Sequence, residues 1–305
     1  MLSIGFDPSF IDTIVRAETP KGELIGELPE PGFHHRNTKI YRVAGGNAVN
    51  IAYVLSKLDV KFDLIIPSTP LFDTLLKRRG LSTSYQIHHT VNETVAISWR
   101  PGEIQFNQII GEISSDHFTR EVYDFWNQSD IQVSVNWGLN YKSPSWLSCL
   151  WLSSCGWAFE EIKELTVDDL LKQALEEKNL RHNLVLEPGS VHIHPKSQEL
   201  MDLLETISTA SYNQLYPVFS CNEEEDREFA ALDFTSKLIH TSKQVTCYQH
   251  GSKQIFEVPE ISDIKTFVGA GDSFVAGIVH QLYKHQRLDP AFAISVAQRY
   301  MTNTL

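Results

Sequence analysis

Strand-like and helix-like segments alternate along most of this chain, and that alternation leaves few architectures open. Phe62 to Ile66 has the length and apolar character of a strand. Leu71 to Arg79 follows with helical spacing that Gly80 ends. Asn183 to Glu187 predicts a strand, Ser197 to Ile207 a helix, and Leu215 to Ser220 another strand. Val167 to Lys178 and Glu223 to Asp233 predict helices in the same rhythm. Such alternation builds a largely parallel sheet covered on both faces, so the expected class is α/β.

Two stretches break the rhythm. Ile4 to Asp12, continuing into Thr13-Ile14-Val15, reads as a strand. After it, Pro20, Gly22, Gly26, Pro29, Pro31 and Gly32 punctuate residues 16 to 43 in the manner of hairpins. Thr94 to Trp99 is a second strand-like patch, with Pro101-Gly102 as its turn and Ile104-Gln105-Phe106 returning. The organisation expected is one α/β core over residues 1–15, 44–86 and 115–305, with a small β appendage made from residues 16–43 and 87–114. A length of 305 residues on its own suggests about two domain-sized units.

Charge narrows the partners. With 26 basic and 38 acidic side chains the net charge is −12, which argues against broad binding to nucleic acid or anionic membranes. No apolar run approaches the roughly 20 residues of a membrane span, and Met1 to Asp7 has neither a basic n-region nor a signal-peptide core. Cys149, Cys155, Cys221 and Cys247 contain no C-x-x-C pair and read as four reduced thiols in a cytoplasmic protein.

Two glycine turns each open a helix. Gly269-Ala270-Gly271-Asp272-Ser273 runs into Phe274, Val275, Ile278, Val279 and Leu282, which have the period of a half-buried helix. Glycines at a helix N-terminus let an anion approach free N–H groups and the positive end of the dipole. Asp272 is open to two readings, a helix cap or a functional carboxylate. Earlier, Gly45-Gly46 opens a helix from Asn47 to Leu58 that carries Asn50 among small residues. An amide is a poor helix former, so Asn50 is either a solvated surface residue or a group aimed at a hydroxylated ligand.

Gly-Gly-x-x-x-Asn early and Gly-Ala-Gly-Asp-Ser-Phe late, in this order, resemble the ribokinase-like (PfkB) carbohydrate and nucleoside kinase family. Gly5 and Asp12 are similar to that family's first strand and its substrate-holding aspartate, Leu186-Glu187-Pro188-Gly189 to its central Asp-Pro segment, and Asn222-x-x-Glu225 to its Asn-x-x-Glu motif. The resemblance covers essentially the whole chain and implies a doubly wound core with a β-sheet lid. It further implies transfer of the γ-phosphoryl group of ATP to a hydroxyl of a sugar, polyol or nucleoside. By the same resemblance Asp272 is the base, and Gly269, Ala270 and Gly271 stabilise the transferring group. Asp12, Gly45, Gly46 and Asn50 hold the substrate, and Asn222 and Glu225 act through water on Mg²⁺. Nucleotide contacts fall to Asn222, Glu225, Thr241 and Gln298. Dimerisation through the lid is a habit of the family, which the Tyr, His and Val content there permits without requiring.

Several positions depart from the family pattern. Thr266 stands where an aspartate is common. Two extra residues, including Pro8, lie between Gly5 and Asp12, which makes Asp7 a rival substrate ligand. The Thr-x-Gly-x-x-Gly nucleotide loop is absent: Ile239, Thr241 and Gln244 occupy its positions in one register, and Thr246, Tyr248 and Gly251 in another. That loss keeps open an idle binding or regulatory protein of the same fold, and a vitamin-precursor kinase is a further alternative. Kinases of the latter kind usually lack the hairpin lid. Arg16, Lys21, Arg36, Lys39 and Arg42 form no cluster, which argues against a substrate already carrying phosphate. His192-x-His194 has no third ligand nearby in sequence; His34-His35 and His88-His89 read as surface residues, and Trp137, Trp146, Trp151 and Trp157 as core or interface.

Overall fold

The computed structural model describes every residue except 24, 27–37, 100, 101, 112, 140–143, 211–216, 263 and 267. The turn signals at Pro29, Pro31, Gly32 and Pro101, the strand start at Leu215, and His34, His35, Arg36 and Phe267 lie outside the described residues.

The expected large sheet is present and has nine strands among the described residues. Its left-to-right order is β13 (Ser252–Glu257), β12 (Gln244–Gln249), β11 (Ser236–His240), β10 (Val218–Asn222), β9 (Asn183–Glu187), β8 (Ile131–Val135), β1 (Leu2–Gly5), β4 (Asp63–Ile66) and β5 (Tyr85–Gln86). Neighbours from β11 to β5 are parallel, and β12 and β13 extend the edge as antiparallel strands. Side chains alternate between two cores, as a pleated strand requires. Leu2, Ile4, Leu64 and Ile66 join one with α1 (Asn47–Lys57), α2 (Pro70–Arg78), α9 (Ala270–His285) and α10 (Pro290–Met301). Phe6, Ile65, Leu184 and Leu186 join the other with α3 (Arg120–Asn127), α4 (Ser145–Cys155), α5 (Phe159–Glu164), α6 (Val167–Glu176) and α7 (Ser197–Ser208). Trp137, Trp146 and Trp151 are buried in this second core, which every residue of α4 also helps to fill. A short α8 (Glu223–Glu228) follows β10 and ends well before Asp233, with Phe229 turning into the core.

Helix ends follow local chemistry. Thr69 caps α2 by accepting the Phe72 N–H, Pro70 takes the first helical position, and Gly80 at φ 73° lies just beyond the C-terminus. Gly277 of α9 lies so close to α10 that a Cβ there would stand 2.6 Å from the Ala293 Cα.

The N-terminal strand differs from its expected form. It breaks at Phe6, whose φ is 65°, and Pro8 has no N–H to give a ladder. The chain thereby leaves the large sheet and starts a second one at Phe10, so residues 10–15 lie outside the core sheet. That small sheet has the order β3 (Thr38–Gly45), β2 (Phe10–Ala17), β6 (Asn92–Trp99) and β7 (Gly102–Gln108). Register places Asp12 beside Thr94 and Thr94 beside Asn107, with Ile14 beside Ala96 and Ala96 beside Gln105, all on one face.

Within the large sheet, the order turns around at β1: β4 and β5 extend to one side of it, and β8 to β13 to the other. Ligands of open α/β sheets bind outside the carboxyl ends of the strands at such a switch point. Asp7 and Asn136 follow β1 and β8, while Glu187, Asn222 and His240 end β9, β10 and β11.

Candidate active site

Two cavities meet at the carboxyl ends of these strands. The first, about 490 Å³, lies between the small sheet and the strand ends. Asp12, Thr94, Gln105 and Asn107 line it from the sheet, and Asn47, Asn50, Asn136, Glu187 and Asp272 from the core. The second, about 570 Å³, is lined mainly by apolar groups, among them Val245, Val258, Phe274, Ile294 and Ala297. Gly271, Asn222 and His240 border both.

Gly271 belongs to the first turn of α9. That helix starts after Gly269, which sits at φ 80° and has no side chain to cap the following N–H groups. These N–H groups lack intrahelical partners and therefore open where the cavities join. Asp272 does not cap the helix. Its Oδ2 accepts a hydrogen bond from Asn50 Nδ2 at 2.8 Å, and Asn50 Oδ1 in turn accepts from Arg79 Nη1 at 2.9 Å. Asn50 is thus buried and held at both ends rather than solvated.

The paired glycines before α1 have a steric cause. A Cβ on Gly45 would stand 1.7 Å from Asp12 Oδ2, and one on Gly46 2.5 Å from Asp7 Oδ2. Gly46 also takes φ 101°, which L side chains rarely adopt. Of the two rival aspartates, Asp12 faces the first cavity. Asp7 lies beneath it, fully buried, accepting from the Ala48 N–H at 2.9 Å and Asn136 Nδ2 at 2.7 Å.

Carboxylates dominate the electrostatics. Burial pushes Asp272 and Asp7 each up to about 7, against hydrogen bonds that favour ionisation. Burial, with Asp272 and Glu225 nearby, raises Glu187 well above the usual carboxylate range, and burial raises Glu225 as well. Among the described residues Glu187 Oε2 has no hydrogen-bond partner. His240 Nε2 also lacks one and stands 4.0 Å from Glu187 Oε1; burial lowers this imidazole to about 4, so it is neutral.

Asn222 and Glu225 form a reciprocal capping box on α8. Asn222 Oδ1 accepts the Glu224 and Glu225 N–H groups, and Glu225 Oε2 accepts the Asn222 N–H at 2.9 Å. The box leaves Glu225 Oε1 for other work. At the apolar cavity Thr241 closes the β11–β12 turn, its hydroxyl donating to the Gln244 carbonyl and accepting from the Lys243 and Gln244 N–H groups. Gln298 donates to the Pro259 carbonyl at 2.8 Å. Of the two registers for the missing glycine loop, only the first reaches this cavity, through Thr241; Ile239 and Gln244 do not line it, nor do Thr246, Tyr248 and Gly251.

No family model matches the chain, and no curated protein does so either. Solved structures do. A possible 1-phosphofructokinase from Thermotoga maritima is similar at 14% identity and TM-score 0.67, over 100% of this chain and 93% of that one. A ribokinase from the same organism matches at 14% identity and TM-score 0.62, covering 99% and 93%. A nucleoside kinase of the ribokinase family from Methanocaldococcus jannaschii matches at 14% identity and TM-score 0.61, covering 99% and 90%. The chain has the ribokinase-like fold.

Within the ribokinase-like fold, three residues at or just behind the cavities carry no sign of a role in the sequence: Glu187 and His240, which line the polar cavity, and Arg79, which stands behind Asn50. Arg79 ends the run Lys77-Arg78-Arg79, which reads simply as cations complementing a helix C-terminus. His240 ends a strand with no motif around it. Other eye-catching groups stay outside the site. His192 Nδ1 lies 2.5 Å from Glu228 Oε1, while His194 is buried, accepting the Lys196 N–H, and neither His88 nor His89 lines either cavity. Among the described residues no helix is long and apolar enough to cross a membrane, and all four cysteines are free and buried.

Proposed function

We propose that the protein is an ATP-dependent kinase that phosphorylates a hydroxyl of a small uncharged acceptor, a sugar or polyol, with nucleosides as the second candidate class. The observation that carries this reading is the place of Gly271, where the uncapped N-terminus of α9 opens between a polar cavity and an apolar one. Asp12, Asn50, Thr94, Gln105 and Asn107 offer the mixed donors and acceptors that hydroxyls need. The apolar cavity suits the flat face of a nucleobase, with Thr241 and Gln298 at its border. The carboxylates around the polar cavity disfavour an acceptor that already carries negative charge.

In this reading Asp272 takes the proton of the acceptor hydroxyl as that oxygen attacks the γ-phosphorus. The bond from phosphorus to the bridging oxygen breaks, and ADP leaves. Backbone N–H groups at Gly269, Ala270 and Gly271 hydrogen-bond the transferring oxygens, the electrostatic help that phosphoryl transfer depends on. A positioned base contributes about 10² to 10⁴ in rate. The small sheet acts as a lid that keeps water from competing with the acceptor. Its boundaries are residues 16–43 and 87–114 with the inner ends of β2 and β3 added.

Mg²⁺ fits the residues present. Among the described residues Glu187 Oε2 is buried without a hydrogen-bond partner, and burial together with neighbouring carboxylates raises both Glu187 and Glu225, so a cation there would relieve the crowding of negative charge. Among the described residues no three His, Cys, Asp or Glu side chains converge to ligate a metal directly. Asn222, Glu225 and Glu187 would therefore hold the ion through its water shell, where it would neutralise charge on the phosphates.

The four-stranded small sheet speaks for the carbohydrate branch over a vitamin-precursor kinase. Its outer face supports a homodimer, and four free cysteines suit a cytoplasmic enzyme. The test is an ATP-consumption screen over sugars, polyols and nucleosides, run with the wild type and Asp272→Asn. Acceptor-dependent turnover that the substitution abolishes is expected. Equal rates in the two proteins would remove Asp272 as base, and calorimetry showing no heat with Mg·ATP would favour an idle binding protein.

A further inference from the structure

Arg79 lies just past α2 and donates Nη1 to two oxygens, the Ala44 carbonyl at 2.6 Å and Asn50 Oδ1 at 2.9 Å. Its guanidinium also sits 4.4 Å from the centre of the Tyr53 ring. It does not line the polar cavity; it stands behind Asn50, away from it. An arginine can only donate, whereas an amide donates at one end and accepts at the other. The Arg79 bond therefore requires the Asn50 oxygen to point backwards, leaving the NH₂ group to face Asp272. An NH₂ group bonds an ionised carboxylate more strongly than the carbonyl oxygen of the acid, so in this orientation it favours the form a base needs.

We infer that Arg79 is a positioning residue for Asp272, acting through Asn50: it dictates which end of the Asn50 amide meets the carboxylate. Without Arg79 the amide is free to turn, and its oxygen would then accept a proton held on Asp272 and stabilise the acid form. The inference rests on the reading of Asp272 as base, although the amide geometry itself does not depend on any substrate. Other charged and titratable groups facing Asp272 are Asp7 beyond β1, Asp12 from β2, Glu187 from β9, Glu225 from α8, His240 from β11 and Tyr300 from α10. The carboxylates among them oppose its ionisation and His240 is neutral, so Arg79 is the cation on which the balance turns.

The decisive measurement is a ¹³C-carboxyl NMR titration of aspartate-labelled protein, with the Asp272 signal identified by Asp272→Asn. In Arg79→Met the Asp272 midpoint is expected to rise by about one pH unit, and in Arg79→Lys to return towards the wild type. In an Asn50→Ala background the same Arg79→Met substitution is expected to move it far less. An unmoved midpoint in folded Arg79→Met protein overturns the inference, and so does an equal shift with and without Asn50, which would make Arg79 a direct charge. Folding is checked by thermal unfolding; if Arg79→Met does not fold, Arg79→Leu, which likewise offers no donor, takes its place in the same comparison. With an acceptor in hand, the acid limb of kcat/KM is expected to move upwards with the NMR midpoint. Absence of turnover with every acceptor would count against the kinase reading while leaving the titration result standing.

Discussion

A carboxylate held near neutrality gains proton affinity but loses stability when it ionises, and Asp272 shows both consequences. Its midpoint of about 7 in the folded protein exceeds the ordinary 3.8 because burial disfavours the charge. In its proposed role as base it works only when ionised, so kcat/KM is expected to rise with pH through about 7 and then level. A rate that falls over that range would assign the proton to another group. Asp272→Asn should keep the fold and lower kcat by about 10² or more at any pH. Stability runs the other way. Between pH 3.8 and about 7 the unfolded chain has released the proton that the folded one keeps, for Asp272 and Asp7 alike. Folded stability therefore declines as pH rises through that window. The melting temperature without Mg²⁺ and nucleotide is expected to be higher at pH 5 than at pH 8, and adding Mg·ADP should recover most of the loss at pH 8. A melting temperature independent of pH would mean that these carboxyls are solvated.

Among elements, the two glycine-opened helices are the ones that locate the site. Gly45→Ala sets a Cβ 1.7 Å from Asp12 Oδ2, so the carboxylate must leave its place. The expected result is a rise in acceptor KM of about tenfold or more with ADP affinity unchanged, because the apolar cavity does not include Gly45. Calorimetric titration of ADP beside acceptor kinetics separates the two; a matching loss in both would point to general damage. The openings of α1, α2 and α9 were legible because caps, glycines and apolar spacing act within a few residues. The parallel core was legible for the same reason, through its strand and helix rhythm. What was not legible depends on closure of the whole fold. Arg79 meets Asn50 across 29 residues, and Asn50 meets Asp272 across 222. The departure of the chain from β1 at Phe6 is not legible either, because a positive φ at phenylalanine leaves no mark on the sequence.

At the scale of the molecule, the small sheet has two faces of opposite character. The inner one carries Asp12, Thr94, Gln105 and Asn107, all bordering the polar cavity. The register assigns Val15, Ile40, Val95, Ile97, Ile104 and Phe106 to the outer one. Ile40 is 67% exposed and Phe106 59%, on the two edge strands of a sheet whose other face borders the polar cavity. Contiguous apolar area of this kind marks an interaction surface, since a monomer left with it tends to associate. A second copy of the same face matches it in chemistry and satisfies two-fold symmetry, in which one patch serves both partners. Phe106→Glu would bury a carboxylate against apolar neighbours in such a dimer, while in a monomer it would simply be solvated. Sedimentation velocity is therefore expected to give a dimer for the wild type at micromolar concentration and a monomer for Phe106→Glu, with both unfolding at similar temperatures. A wild-type monomer across that range would sink the dimer. If the dimer holds, the same substitution should also raise acceptor KM, because β7 carries Phe106 outward and its neighbours Gln105 and Asn107 inward to the cavity. Packing on one face of the small sheet would then set the position of the other.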